Sequence, residues 1–152
     1  MPPKLNLPEI ELKLKAPTTP KGRPLVWDFC RKRYVALTPE EYVRQHILSY
    51  LINNLGYPKE RTSVEAVVDV NGQNQRADII IYDIEMRPLL VVECKAPSVQ
   101  ISQETLDQAL RYNTKLGVRY IILTNGMRHY CLGVDGQEIS ILQQIPPYEK
   151  GV

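Results

Sequence analysis

Asp78, Glu93 and Lys95 are the residues whose types and spacing could do chemistry, and all fall in the stretch from Arg76 to Lys95, RADIIIYDIEMRPLLVVECK. Two carboxylates brought together can ligate a hard cation through oxygen and leave its remaining positions to water. Such an ion lowers the pKa of bound water and stabilises charge building on a phosphate, while an adjacent ammonium orients the water or steadies the transition state. The pattern that brings them together is a hairpin. Apolar runs Asp78 to Asp83 and Pro88 to Lys95 flank the polar segment Ile84-Glu85-Met86-Arg87. Pairing Asp83 with Pro88 brings Asp78 opposite Glu93, and the period of two in a strand turns Lys95 to the face of Glu93. Opposed carboxylates about 5 Å apart repel by roughly 3 kcal/mol at an effective dielectric near 20. Lys95 compensates one charge and a divalent cation the rest. On that basis Asp78→Asn is expected to raise the melting temperature of metal-free protein. The plainer alternative makes Asp78 and Lys95 exposed strand ends, with Glu93 neutralised by Lys95.

Several elements must hold this hairpin. Arg61 to Val70, Gln75 to Asp83 and Pro88 to Lys95 form an antiparallel meander, with Asn71-Gly72 as its first turn. That turn places Glu65 opposite Asp78 on its other neighbour, so Glu65, with Glu40, joins the candidate acids. Thr38-Pro39-Glu40-Glu41 opens a helix with threonine as N-cap, proline in the first position and Glu41 where a capping box places its acid. Val43, Ile47, Tyr50, Leu51 and Leu55 continue it to Gly56 and Pro58. Pro97 stops the third strand, and Ser102 caps a second helix that ends at Gly117. Val118 to Thr124 then follows as a strand parallel to the Pro88 strand, joined by a right-handed crossover. Strands near Met127 to Val134 and Gln137 to Gln143 extend a sheet that has become mixed. The fold class is therefore α/β, a mixed sheet flanked by helices. Residues 1–24 read as a Pro/Lys-rich arm with one short edge strand, 25–145 as a single domain, and 146–152 as a loose tail. Leu25 to Leu37 forms a hairpin turning at Arg31-Lys32-Arg33, a basic cluster read as a solvated turn or a phosphate contact.

Arg76-Ala77-Asp78 with Val92-Glu93-Cys94-Lys95-Ala96-Pro97 resembles the PD-(D/E)xK nuclease superfamily, most closely the N-terminal nuclease domain of type I restriction enzyme R subunits. The similarity spans about Thr38 to about Gly126. It implies a restriction-endonuclease-like core and a magnesium-dependent endonuclease acting on DNA, with manganese able to substitute. Asp78, Glu93 and Lys95 take the family's catalytic positions, the backbone carbonyl of Cys94 completes the metal site with Asp78 and Glu93, and Glu41 matches the acid of the first helix. From the residues alone Glu41 serves equally as a capping glutamate. Gln108 and Tyr112 match a Gln-x-x-x-Tyr element beside the site, where they would order the metal water or contact the nucleic-acid backbone, and Arg76 would be a further substrate contact. Their spacing alone makes them a polar flank of an amphipathic helix. Ala77 stands where the superfamily name has proline. No ATP-binding or helicase segment follows, so ATP-driven translocation is not implied. A second reading keeps the fold as a catalytically idle module that binds nucleic acid or a restriction or helicase partner subunit.

Composition sets the remaining bounds. The 152 residues carry a formal charge of only +2, below what a domain binding nucleic acid by charge alone would show. Cys30, Cys94 and Cys131 have no paired spacing and read as buried thiols. His46 and His129 lack recognisable partners. No apolar run is long enough to cross a bilayer and no signal peptide is visible, so a cytoplasmic location is expected. Double-strand cutting would ask for two active sites, which a homodimer could supply, although no interface stripe is visible.

Overall fold

A computed structural model describes residues 2–152. Its small sheet comprises β1 (Leu14–Lys15), β2 (Leu25–Asp28) and β3 (Arg33–Ala36), antiparallel in that order. Helix α1 (Pro39–Ser49) follows, capped by Thr38, whose hydroxyl accepts from the Glu41 N–H at 3.0 Å. Its last turn widens over Tyr50–Asn54, where the Leu55 N–H reaches back to the Tyr50 carbonyl, before Gly56 turns the chain at φ +82°. Then come β4 (Thr62–Val70), β5 (Gln73–Tyr82), β6 (Pro88–Cys94), α2 (Gln103–Asn113), β7 (Tyr120–Thr124), β8 (His129–Asp135) and β9 (Glu138–Leu142). These six strands form one sheet in sequence order, with β6 and β7 its parallel pair. The fold class expected from the sequence is the one observed, and the α2 crossover accounts for the parallel pair.

The sheet is covered on both faces, which is why its central strands are apolar throughout. Ile79, Ile81, Leu90, Val92 and Ile122 pack with Val43, Ile47, Leu48 and Leu51 on the α1 side. Ala77, Ile80, Val91, Ile121 and Leu132 pack with Leu106 and Leu110 on the α2 side. The inner register of the β5–β6 hairpin is the expected one, Ile79 facing Val92 and Ile81 facing Leu90. At the loop it shifts, so that Pro88 faces Tyr82 rather than Asp83. Asp83 has left the ladder because its carboxylate accepts from the backbone N–H groups of Glu85 and Arg87, both at 2.9 Å.

The arm carries the expected short edge strand but is also anchored, and the tail departs from the expected loose segment. Leu5 is buried in the α1-side core, and the Asn6 N–H donates to the Gly126 carbonyl at 2.8 Å. Gly126 is required there, because its φ is +85° and a Cβ would lie 2.7 Å from Leu5 Cδ2. At the other end the Tyr57 hydroxyl donates to the Pro146 carbonyl at 2.7 Å, and Arg61 Nη2 donates to the Tyr148 hydroxyl at 2.6 Å. Aromatic groups the sequence pattern could not assign thus tie the tail down. Among the described residues no helix is long and apolar enough to cross a membrane.

Candidate active site

One step beyond the Ile79–Val92 pair, the register sets Asp78 against Glu93. The two side chains are not simply side by side. Val92 and Cys94 both enter the α1-side core, while Glu93 between them is part-exposed, with Lys95 Nζ 3.4 Å from its carboxylate. Asp78 behaves differently. On its β4 side the ladder skips the Glu65–Asp78 position without changing register, and Glu65 there has a left-handed φ of +53°. The Asp78 carboxylate takes the place of a backbone acceptor: Oδ2 accepts from the Cys94 N–H at 2.7 Å and Oδ1 from Arg44 Nη2 at 3.0 Å. Asp78 is thus bonded to the residue that lies between Glu93 and Lys95 in the chain. The three gather around the Cys94 peptide at the end of β6.

Arg44 is the residue that sequence reasoning passed over. It is buried on α1 among apolar neighbours, and it pairs with Glu41 at 2.6 Å, Asp78 at 3.0 Å, Glu40 at 3.5 Å and Glu65 at 3.6 Å. Burial alone would lower its pKa, but the Glu41 and Asp78 carboxylates outweigh that and raise it. Its position three residues after Glu41 and four after Glu40, on the helix's apolar stripe, was the available signal. Arg31 does the same from the β2–β3 hairpin, pairing with Asp28 at 2.6 Å, Glu41 at 2.7 Å and Glu65 at 3.2 Å. Only Lys32 and Arg33 of the basic cluster face solvent.

Glu41 is neither a reciprocal capping glutamate nor a free ligand. The Thr38 N–H donates to the Ala36 carbonyl instead, and the Glu41 carboxylate accepts from Arg31, Arg44 and, at 3.0 Å, Gln45. Tyr112 docks α2 on β5, its hydroxyl accepting from the Arg76 N–H at 3.0 Å while Gln75 Nε2 donates to its carbonyl at 2.9 Å. Gln108, one turn earlier, is exposed. The Arg76 side chain is solvent-facing and reaches Glu65 at 3.0 Å.

The network carries unbalanced charge. Asp28, Glu40, Glu41, Glu65 and Asp78 are met by Arg31, Arg44 and Arg76, which leaves two negative charges, the complement of one divalent cation. Glu40 registers the excess: burial and the nearby Asp78 push its carboxyl up in spite of Arg44 and Lys95. Among the described residues no three His, Cys, Asp or Glu side chains converge as a ready-made metal cage. The donors that fit a hard cation are oxygen only, Asp78 and Glu93 flanking the Cys94 peptide. The Cys94 thiol is buried in the α1-side core, and burial, with Asp78 adding to it, raises its pKa well above the ordinary thiol range.

A mixed sheet with acids and a lysine gathered at the end of its central hairpin defines a restriction-endonuclease-like α/β domain. The chain belongs to the family described as Type I restriction enzyme R protein N terminus (HSDR_N), whose model matches residues 39–146. Among solved structures it is similar in fold to a fragment assigned as an HsdR subunit of a type I restriction enzyme from Vibrio vulnificus YJ016. That similarity has a TM-score of 0.53 and 21% identity, and covers 73% of this chain and 24% of that one. This chain therefore spans about a quarter of the Vibrio chain's length. No curated protein matches it.

Proposed function

We propose that this domain is a magnesium-dependent nuclease that hydrolyses DNA phosphodiester bonds within a restriction system. The observation that carries the reading is the gathering of Asp78, Glu93 and Lys95 about one peptide beside a network two positive charges short of neutrality. Asp78 and Glu93 are the residues that would hold the metal, with the Cys94 carbonyl as a further oxygen donor. Bound there, magnesium would make a coordinated water more acidic and neutralise charge developing on the phosphate. Lys95, held within reach of Glu93, orients the attacking water and steadies the extra negative charge. Arg44 and the Cys94 N–H fix the Asp78 carboxylate from two sides, so its direction is set before any substrate arrives. Tyr112 and Arg76 sit on the β5 backbone near Asp78, where they and Gln108 could meet the nucleic-acid backbone. DNA is the substrate proposed, and restriction or helicase subunits are the protein partners.

The test incubates purified protein with magnesium or manganese and with supercoiled and single-stranded DNA, alongside calorimetry of metal uptake. Cleavage that Lys95→Ala abolishes while metal uptake persists is the expected result. Intact DNA of both kinds with no metal uptake refutes the reading. One observation favours the second reading, an idle module that binds DNA or a partner subunit: both Asp78 oxygens already have protein donors. Uptake of metal without cleavage, restored by no added subunit, would establish it.

A further inference from the structure

The three-stranded sheet has a use that the acids do not explain. Alternation along β2 sends Val26 and Asp28 inward, both fully buried. The other face turns Trp27 and Tyr34 outward as a directly opposed pair, half-buried, with ring centroids 5.2 Å apart at 69°. Two exposed lysines flank them. Lys13, whose carbonyl accepts from the Trp27 N–H, holds Nζ 5.4 Å from the indole, and Lys15 holds Nζ 5.3 Å from the Tyr34 ring. A fold that needed only to hide these rings could do so with apolar side chains. Here ammonium groups cover them, and an ammonium can swing to a phosphate and leave the ring face free.

Position gives this face its meaning. Tyr34 and Arg33 line a cavity of about 470 Å³ together with Glu40, Glu41, Arg44 and Glu65. Tyr34 of the aromatic pair therefore stands at the lip of the cleft lined by Glu40, Glu41 and Glu65. Arg44, in the lining of that cleft, is paired to Asp78 at 3.0 Å.

We propose that the outer face of β1–β3 is a binding platform for an unpaired stretch of DNA, with bases stacking on Trp27 and Tyr34 and phosphates paired to Lys13 and Lys15. Single-strand recognition follows from the chemistry, because base faces reach aromatic rings only when they are not stacked in a duplex. Charge agrees, since Lys13 and Lys15 make this patch positive, and Arg33 lines the cleft beside it. The inference rests on the nuclease reading and deepens it by naming the form of the substrate.

The test needs no cleavage and no metal. Trp27 is the chain's only tryptophan, so its emission reports this face alone. In EDTA, titration with an oligothymidylate of about 15 nucleotides should quench that emission to saturation. Affinity, read in parallel by anisotropy of labelled oligonucleotide, should fall with salt. Lys13→Ala with Lys15→Ala should weaken binding and reduce the slope of log K against log salt by about 1.4, the loss of two phosphate contacts on a single strand. Tyr34→Leu should weaken it about fivefold or more, and Tyr34→Phe should not. The lysine substitutions are on exposed positions and leave the fold intact, so they remain decisive even if Tyr34→Leu unfolds. The proposal is overturned if a duplex of equal length quenches as strongly, if anisotropy reports binding without a change in Trp27 emission, if the lysine variants bind as wild type, or if nothing binds. None of these outcomes bears on cleavage, which the plasmid assay judges separately.

Discussion

Replacing Asp78 by asparagine separates the charge balance seen in the structure from the one the sequence implies. From the strand pattern the substitution should raise metal-free stability by relieving repulsion from Glu93. The structure reverses the sign. Asp78 takes a charge-assisted hydrogen bond from Arg44 at 3.0 Å and one from the Cys94 N–H at 2.7 Å. Asparagine offers one acceptor oxygen and one donor amide, so one of these donors would face another donor. A hydrogen bond to a charged group contributes about 1.5–3 kcal/mol. Against it stands relief of the negative excess that Glu40 registers, about 1 kcal/mol for a partly solvated pair. The net expectation is a loss of about 1–2 kcal/mol, hence a melting temperature lower by about 2–8 °C for a chain of this size. Differential scanning fluorimetry in EDTA measures it directly. Magnesium at about a hundred times its dissociation constant should stabilise wild type by about 2.7 kcal/mol and Asp78→Asn by far less. A variant that melts above wild type in EDTA would refute this account of the site.

Three further outcomes follow from the same contacts. Arg44→Met strips Asp78 of its guanidinium and takes one of the two arginines from buried Glu41, so urea unfolding should show a loss of about 3 kcal/mol. Asp28 is fully buried; burial pushes its carboxyl up, but the Arg31 N–H and guanidinium and the Cys30 N–H outweigh that and hold it below the ordinary value of 3.8. Its stabilisation is in full force above that value and is lost as pH falls through the depressed one, so Asp28→Asn should cost about 2 kcal/mol near neutral pH and flatten the acid limb of a stability-versus-pH curve. Gly126→Ala combines a left-handed φ with a Cβ 2.7 Å from Leu5, and should lower stability by about 2–4 kcal/mol in circular-dichroism melts. Leu5→Ala in the same chain should recover part of that loss.

The sheet was legible because its signals are local. Asn71-Gly72 adopts positive φ at both positions, as a two-residue hairpin between twisted strands requires, and it fixed the β4–β5 register. Helix α1 announced itself through Thr38 and Pro39, and Pro97 with Ser102 bracketed the crossover that makes β6 and β7 parallel. What did not show were contacts between segments far apart in the chain. Leu5 meeting Gly126, and Tyr57 meeting Pro146, leave no periodic trace because each is a single side chain filling a place made by others.

The site divides along the same line. Asp78, Glu93 and Lys95 could be set at one ladder end by counting along a hairpin, since register is arithmetic once the turn is known. The direction of the Asp78 carboxylate could not, because it depends on Arg44 coming from another element and on an unpaired, left-handed Glu65 opposite it that no residue type signals. That same arginine explains why an acid cluster this dense can exist before any cation arrives. Buried carboxylates need partners of their own, and Arg31 and Arg44 supply them for Asp28 and Glu41 on the inner side. Toward the rim the guanidiniums run short, and there Asp78, Glu40 and Glu65 share what remains. The inner pairs hold the frame together, and a cation of the kind proposed would meet the outer deficit without dismantling them.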